Sequence, residues 1–244
     1  MSLVLICCAA CLFLPVNAQA KGMNWYCNKV VDNCRPLCPF DEKMLKENQA
    51  YFLGKDEKKV YLTFDAGYCN ENVEKIVEVL KKRKVNAAFF VLEHFVTSEP
   101  ELCKDMAENS ILICNHTTSH KNIALLSEDE LKDQICSLEG IYEDATGLKM
   151  ERFFRPPEGC FSEESLKLIK GLGYKTVFWS VAYADWDNNN QPSQKDAMEK
   201  ILSRVHNGAV ILLHPTSKTN ADILDELITE LENRGYSFGS LKEL

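Results

Sequence analysis

The chain has no glycine-rich phosphate loop, no internal repeat and no basic patch interleaved with aromatics. The first absence removes the usual backbone cradle for a nucleotide. The second removes solenoids and propellers. The third, with a formal net charge of -8, argues against nucleic acid as a partner. Long apolar runs are also scarce. The stretch 3–16 is too short for a comfortable membrane span. Followed by Ala18-Gln19-Ala20, it reads as an export signal over residues 1–20, although no Lys or Arg precedes Lys21. A secreted or cell-surface protein is expected, with a retained amino-terminal anchor as the alternative. Cys8-Ala9-Ala10-Cys11 is a poor lipoprotein signal, because an apolar residue is wanted where Cys8 sits.

What is present suits one sizeable domain with extensions: 244 residues, 45% hydrophobic and 26% charged. Residues 21–55 read as an irregular lead-in and 56–244 as the domain. Trp25, Tyr26, Tyr51 and Phe52 suit packing of the lead-in onto the domain better than sugar binding. Of eleven cysteines, Cys7, Cys8 and Cys11 fall in the signal. The remaining eight permit disulfides in an exported chain, without fixing their connectivity. Cys27, Cys34 and Cys38 cluster where a bridge would staple a segment with little core. Cys103, Cys114 and Cys136 lie in or beside apolar stretches and suit small buried hydrophobes.

From residue 60 onward, short apolar runs alternate with amphipathic stretches. Strands are expected at 60–64, 87–91, 111–114, 153–154, 176–181, 209–213 and 237–239. Helices are expected at 73–82, 99–108, 127–144, 162–170, 194–205 and 222–233, the third opened by the capping box Ser127-Glu128-Asp129-Glu130. Seven strands with helices between them argue an α/β fold with a parallel sheet.

Chemically capable residues follow five of these strands: Asp65, His116, Arg155, Asp185 and His214. The carboxyl edge of a parallel sheet or barrel is where sites are built. His116 and His120, four apart, could hold one metal from one side of a helix or turn. Each residue has a plainer reading alone: Asp65 as a helix cap, Arg155 as a surface charge in a proline turn, His214 as a loop residue. Their shared placement favours a site. Asn115-His116-Thr117 also matches a glycosylation sequon, which carries no weight inside such a site.

Thr63-Phe64-Asp65-Ala66-Gly67, His116-Thr117-Thr118-Ser119-His120, Arg155-Pro156-Pro157-Glu158-Gly159, Asp185-Trp186 and Leu212-Leu213-His214 resemble, in order, the five motifs of the polysaccharide deacetylases, carbohydrate esterase family 4. The resemblance covers roughly residues 55–244. Tyr51-Phe52-Leu53-Gly54 and the stretch 176–187 (TVFWSVAYADWD) resemble the delta-lactam-biosynthetic de-N-acetylases, which act on N-acetylmuramic acid of peptidoglycan. The resemblance implies a distorted (β/α) barrel of about seven parallel strands. It also implies roles. Asp65 would be the general base and His214 the general acid, oriented by Asp185. Arg155 would hold Asp65 through a bidentate pair. His116 and His120 would bind a divalent metal such as zinc. Trp186 and Leu212 would line the acetyl pocket, and the backbone N–H near Glu158 would help bind the oxyanion.

One motif departs from the family pattern. Its usual Asp-Asp pair supplies a second carboxylate as a metal ligand, and Ala66 stands in that place. A weakly held metal, a substitute ligand or catalysis without a tight metal would follow. The de-N-acetylases that the chain most resembles also vary here.

The function that the resemblance implies is removal of N-acetyl groups from peptidoglycan glycan strands, at muramic acid, in synthesis of the delta-lactam of spore cortex. No protein partner is expected. An N-acetylglucosamine or chitin deacetylase is the nearest rival. A non-catalytic wall-binding module is the rival of another class, but it gives no reason to retain both Asp65 and His214. A metal-binding or redox protein built on the cysteines leaves the strand-end residues unexplained.

Overall fold

The computed structural model describes residues 22–28, 30 and 33–244, so the expected export segment lies outside the described residues. In chain order the elements are β1 (Met23–Asn24), α1 (Glu42–Glu47), β2 (Ala50–Tyr51), β3 (Lys59–Ala66), α2 (Glu71–Arg83), β4 (Ala87–Val91), α3 (Glu93–Ser98), α4 (Pro100–Glu108) and β5 (Ile111–Asn115). Then come α5 (Glu128–Thr146), β6 (Glu151–Phe154), β7 (Cys160–Phe161), α6 (Glu163–Gly171), β8 (Lys175–Val177), α7 (Gln194–Leu202), β9 (Ala209–Leu213), α8 (Lys218–Asn233) and β10 (Ser237–Phe238).

Every residue of β4, β5 and β9 is buried, as expected of parallel strands covered on both faces. The alternation of side chains divides that burial into two layers. Phe64, Phe89, Val91, Ile113 and Ile211 pack outward against the helices. Tyr61, Ala88, Phe90, Cys114 and Val210 pack inward. Asp65 and Thr63 share the phase of Tyr61 along β3, which directs them to the interior.

The strands run in the order β9-β3-β4-β5-β6-β8-β2, all parallel, with β10 paired to the start of β3. The sheet's ends meet through bridges from Val181 and Leu53 to Ile211 and Ala209. This is a distorted (β/α) barrel with seven parallel strands. The two-residue β2, unmarked by any pattern, supplies one of the seven, and β10 is a short addition.

The sequence predicts one strand over 176–181, but β8 stops at Val177. Beyond it, the Val177 and Phe178 carbonyls accept from Arg155, while the Ser180 and Val181 N–H groups turn to the Val210 carbonyl. The expected helix at 99–108 begins at Pro100 and is preceded by α3. Proline lacks an amide hydrogen and disfavours helical geometry at Glu99, which sits at φ -128° and ψ 51°. The capping box at Ser127 is present, and α5 ends at Gly147 in the left-handed region.

The stretch expected as an irregular lead-in contains α1 and β2. Cys27 and Cys38 carry free thiols, so neither of these two ties it down through a disulfide. Aromatic packing does so instead. Trp25 stacks on Phe178 with ring centroids 4.3 Å apart and touches Phe40 and Phe52. Its Nε1 donates to the Trp179 carbonyl at 2.9 Å. Gly159 accommodates this packing, because an added Cβ would lie 2.8 Å from Trp25 Cβ. Cys103 and Cys114 are buried as expected, whereas Cys136 is exposed.

Candidate active site

Four strands deliver the central residues to one end of the barrel. Asp65 is the penultimate residue of β3; His116, Arg155 and His214 directly follow β5, β6 and β9. Asp185 lies further out, beyond the Val181 bridge. The structure gathers these five into two linked groups.

The first group centres on Arg155, which is wholly buried. Its Nε donates to the Val177 carbonyl at 3.0 Å. Nη2 reaches the Thr63 hydroxyl at 2.9 Å and the Phe178 carbonyl at 3.3 Å, and Nη1 donates to Asp65 Oδ1 at 2.8 Å. The guanidinium lies 4.1 Å from the Phe90 ring centroid. The expected bidentate grip on Asp65 is therefore corrected to a single contact, because the other donors serve Thr63 and two main-chain carbonyls. Burial opposes charge on Asp65, but Arg155, with His116 and His214 beyond it, outweighs that and holds the carboxyl below its ordinary value.

His116 is buried, and its Nδ1 lies 2.7 Å from the Arg155 carbonyl. A carbonyl only accepts, so Nδ1 carries the hydrogen and Nε2 presents a lone pair. That lone pair faces Asp65 Oδ2 at 3.6 Å. Burial pushes the imidazole down to about 4, against the pull of Asp65. His116 and His120 are joined by a turn, with Thr117 and His120 at positive φ. Their ring centroids are 5.0 Å apart, and His120 is exposed.

His116 and His120 set two nitrogen bases side by side. The third protein ligand usual in catalytic zinc sites is missing, since Ala66 is buried against apolar neighbours. Among the described residues, no group of three or more His, Cys, Asp or Glu is placed to hold a metal. The donors present are thus two imidazoles, fewer than a catalytic zinc usually takes from protein.

The second group centres on Asp185, also buried. Its Oδ1 is 2.7 Å from His214 Nδ1, while Oδ2 accepts the His214 backbone N–H at 2.8 Å. Burial lowers the affinity of His214 for a proton. The hydrogen bond and charge of Asp185 outweigh this, so the imidazole titrates above its ordinary value. Trp186 is 62% exposed, with its ring 6.3 Å from that of His214. Leu212 is buried near the end of β9. Glu158 is exposed at φ 56° in the Pro157–Gly159 turn. Its carboxylate lies 3.8 Å from Cys160 Sγ.

Sequence reasoning missed Thr63, Asn115 and Asn220. Thr63 relays from Arg155 to the Ile211 carbonyl. Asn115 is buried; its amide donates to the Ile135 carbonyl and its oxygen accepts the Thr117 N–H, shaping the His116 turn. Buried and hydrogen-bonded in this way, the Asn115 amide is no accessible glycan acceptor. Asn115 stands beside a recognised motif, whereas Asn220 had no neighbouring signal.

The polysaccharide deacetylase family matches residues 53–177. The peptidoglycan-N-acetylmuramic acid deacetylase PdaA of Bacillus subtilis is 39% identical over 98% of this chain and 94% of its own. The solved structure of B. subtilis PdaA, described as a family 4 carbohydrate esterase, superposes with a TM-score of 0.88 at 39% identity, covering 92% of this chain and 97% of that one. A peptidoglycan-N-acetylglucosamine deacetylase of Bacillus cereus is 35% identical over 81% of this chain and 73% of its own. The chain belongs to the polysaccharide deacetylase family, whose members generally depend on a metal.

Proposed function

We propose that this protein hydrolyses N-acetyl groups of peptidoglycan glycan strands, at N-acetylmuramic acid. The observation that carries the proposal is the opposite tuning of two groups at one barrel end. Arg155 favours a charged Asp65, and Asp185 favours a protonated His214. That is the protonation state required to attack an amide and release an amine.

Asp65 takes a proton from water as the oxygen attacks the acetyl carbon. The His214 imidazolium gives its proton to the amide nitrogen, the C–N bond breaks, and acetate and a free amine leave. Asp185 keeps the imidazole oriented throughout. His116 and His120 would hold a divalent ion, which when bound polarises the acetyl carbonyl as a Lewis acid. The backbone N–H near Glu158 supports the same oxygen, and Trp186 and Leu212 border the acetyl group.

Muramic acid is favoured over glucosamine by the extent of the likeness to PdaA, which spans nearly all of both chains. A freed muramic amine lies near the lactyl carboxylate and can close on it as the delta-lactam of spore cortex. That ring needs a carboxylate unburdened by a stem peptide, so the substrate is the peptide-stripped strand. Residues 56–244 form the catalytic unit in this reading, and the place of action is the cell wall. The 1–20 leader accounts for export. Among the described residues, no helix is long and apolar enough to cross a membrane.

Acetate release from purified strands tests the reading. Asp65→Asn and His214→Ala should each lower turnover by about two orders of magnitude or more, with Asp65→Asn also less stable because it leaves the buried Arg155 without its counter-charge. Turnover near that of the unaltered protein in either variant would remove the assigned roles.

A further inference from the structure

Asn220 lies in the first turn of α8, is 1% exposed, and belongs to no motif. Its Nδ2 donates to Asp185 Oδ2 at 2.6 Å and to the His214 carbonyl at 3.0 Å. Its Oδ1 accepts the Tyr183 hydroxyl hydrogen. Its backbone N–H donates to Ser217 Oγ at 3.1 Å, which fixes the helix start. One amide therefore touches both members of the His214–Asp185 pair and ties them to a rigid element.

We propose that Asn220 is a positioning residue for the His214 acid, acting by holding the Asp185 carboxylate in its two-handed grip on His214. The proposal rests on the reading of His214 as the proton donor. The geometry needs a donor at this point. Asp185 Oδ2 otherwise keeps only the His214 backbone N–H, and a buried carboxylate with fewer donors can rotate away from Nδ1. It also needs an acceptor toward Tyr183. An amide supplies both at once, whereas a carboxylate presents oxygen to two acceptors. The charged groups around His214 are Asp185, Asp65 and Arg155, and Asp185 also acts on Tyr183.

The test uses the full chain carrying Asn220→Asp or Asn220→Ala, with N-acetylated glycan strands as substrate. In both variants kcat should fall about tenfold or more, with KM within about twofold, since Asn220 reaches the chemistry only through His214. In Asn220→Ala the Asp185 carboxylate loses a donor and turns from Nδ1, so the basic limb of the kcat/KM profile should move down by about one pH unit. The His214 ring should show the same downward shift by NMR, a readout independent of turnover. If the unaltered protein releases no acetate, the functional reading fails while the NMR shift still decides the role of Asn220. If Asn220→Ala does not fold, Asn220→Ser, whose hydroxyl is too short to reach Asp185 Oδ2, carries the test. A folded Asn220→Ala or Asn220→Ser protein whose His214 pKa and basic limb stay unmoved would overturn the proposal and leave Asn220 merely structural.

Discussion

Arg155 holds Asp65 by one oxygen alone: Nη1 meets Oδ1 at 2.8 Å, and Oδ2 is left facing His116 Nε2 at 3.6 Å. The anchored oxygen secures the charge, and the other remains open to water. Arg155→Met should therefore raise the Asp65 pKa and move the acid limb of kcat/KM to higher pH. It should also destabilise the fold by about 3–5 kcal/mol, the usual cost of leaving one member of a buried ion pair alone. Urea unfolding and a pH–rate profile check both. An unmoved acid limb would mean that another group keeps Asp65 ionised.

Asp65 titrates below its ordinary value and His214 above its own, so activity should span the interval between them. Below it Asp65 gains a proton and the base is lost; above it His214 loses one and the acid is lost. His116, pushed down to about 4, remains neutral across most of this interval. Asp185→Asn removes the charge that lifts His214 and one of the two oxygens that accept from it. The basic limb should then move to lower pH, and kcat should fall by about 100-fold. A basic limb at its original position would detach that limb from His214.

Ala66 pairs with Val91, whose carbonyl accepts the His116 backbone N–H, so one strand, β4, stands between this alanine and the strand that leads to the histidine pair. Ala66→Asp should lower Tm without a divalent ion, because a carboxylate is then buried among apolar groups. Added zinc should restore Tm, and zinc affinity should rise by about tenfold or more through the anionic third ligand. Calorimetry and thermal melts decide. Tight binding in the unaltered protein, unchanged by the substitution, would place the third ligand elsewhere.

The edge that gathers the candidate residues was legible because apolar runs mark strands and the residue ending each run is visible. Asp65, His116, Arg155 and His214 were found this way. Asp185 was less so, since the chain leaves the β8 ladder after Val177. The partners of Arg155 were illegible: two are main-chain carbonyls without a residue signature, and Thr63 lies 92 residues away in sequence. Residues 50–51 were too few to show a strand period, although they complete the barrel. The aromatic anchoring of Trp25 was foreseen only in kind, because its partners Phe40, Phe52 and Phe178 come from three separate segments.

The central claim is tested most directly by locating the deacetylated sugar. Purified enzyme is incubated with peptide-stripped glycan strands, intact peptidoglycan and chitin oligomers, and the products are mapped by mass spectrometry. The account predicts deacetylation at muramic acid in stripped strands, with little on the other two. Deacetylation confined to glucosamine would contradict it.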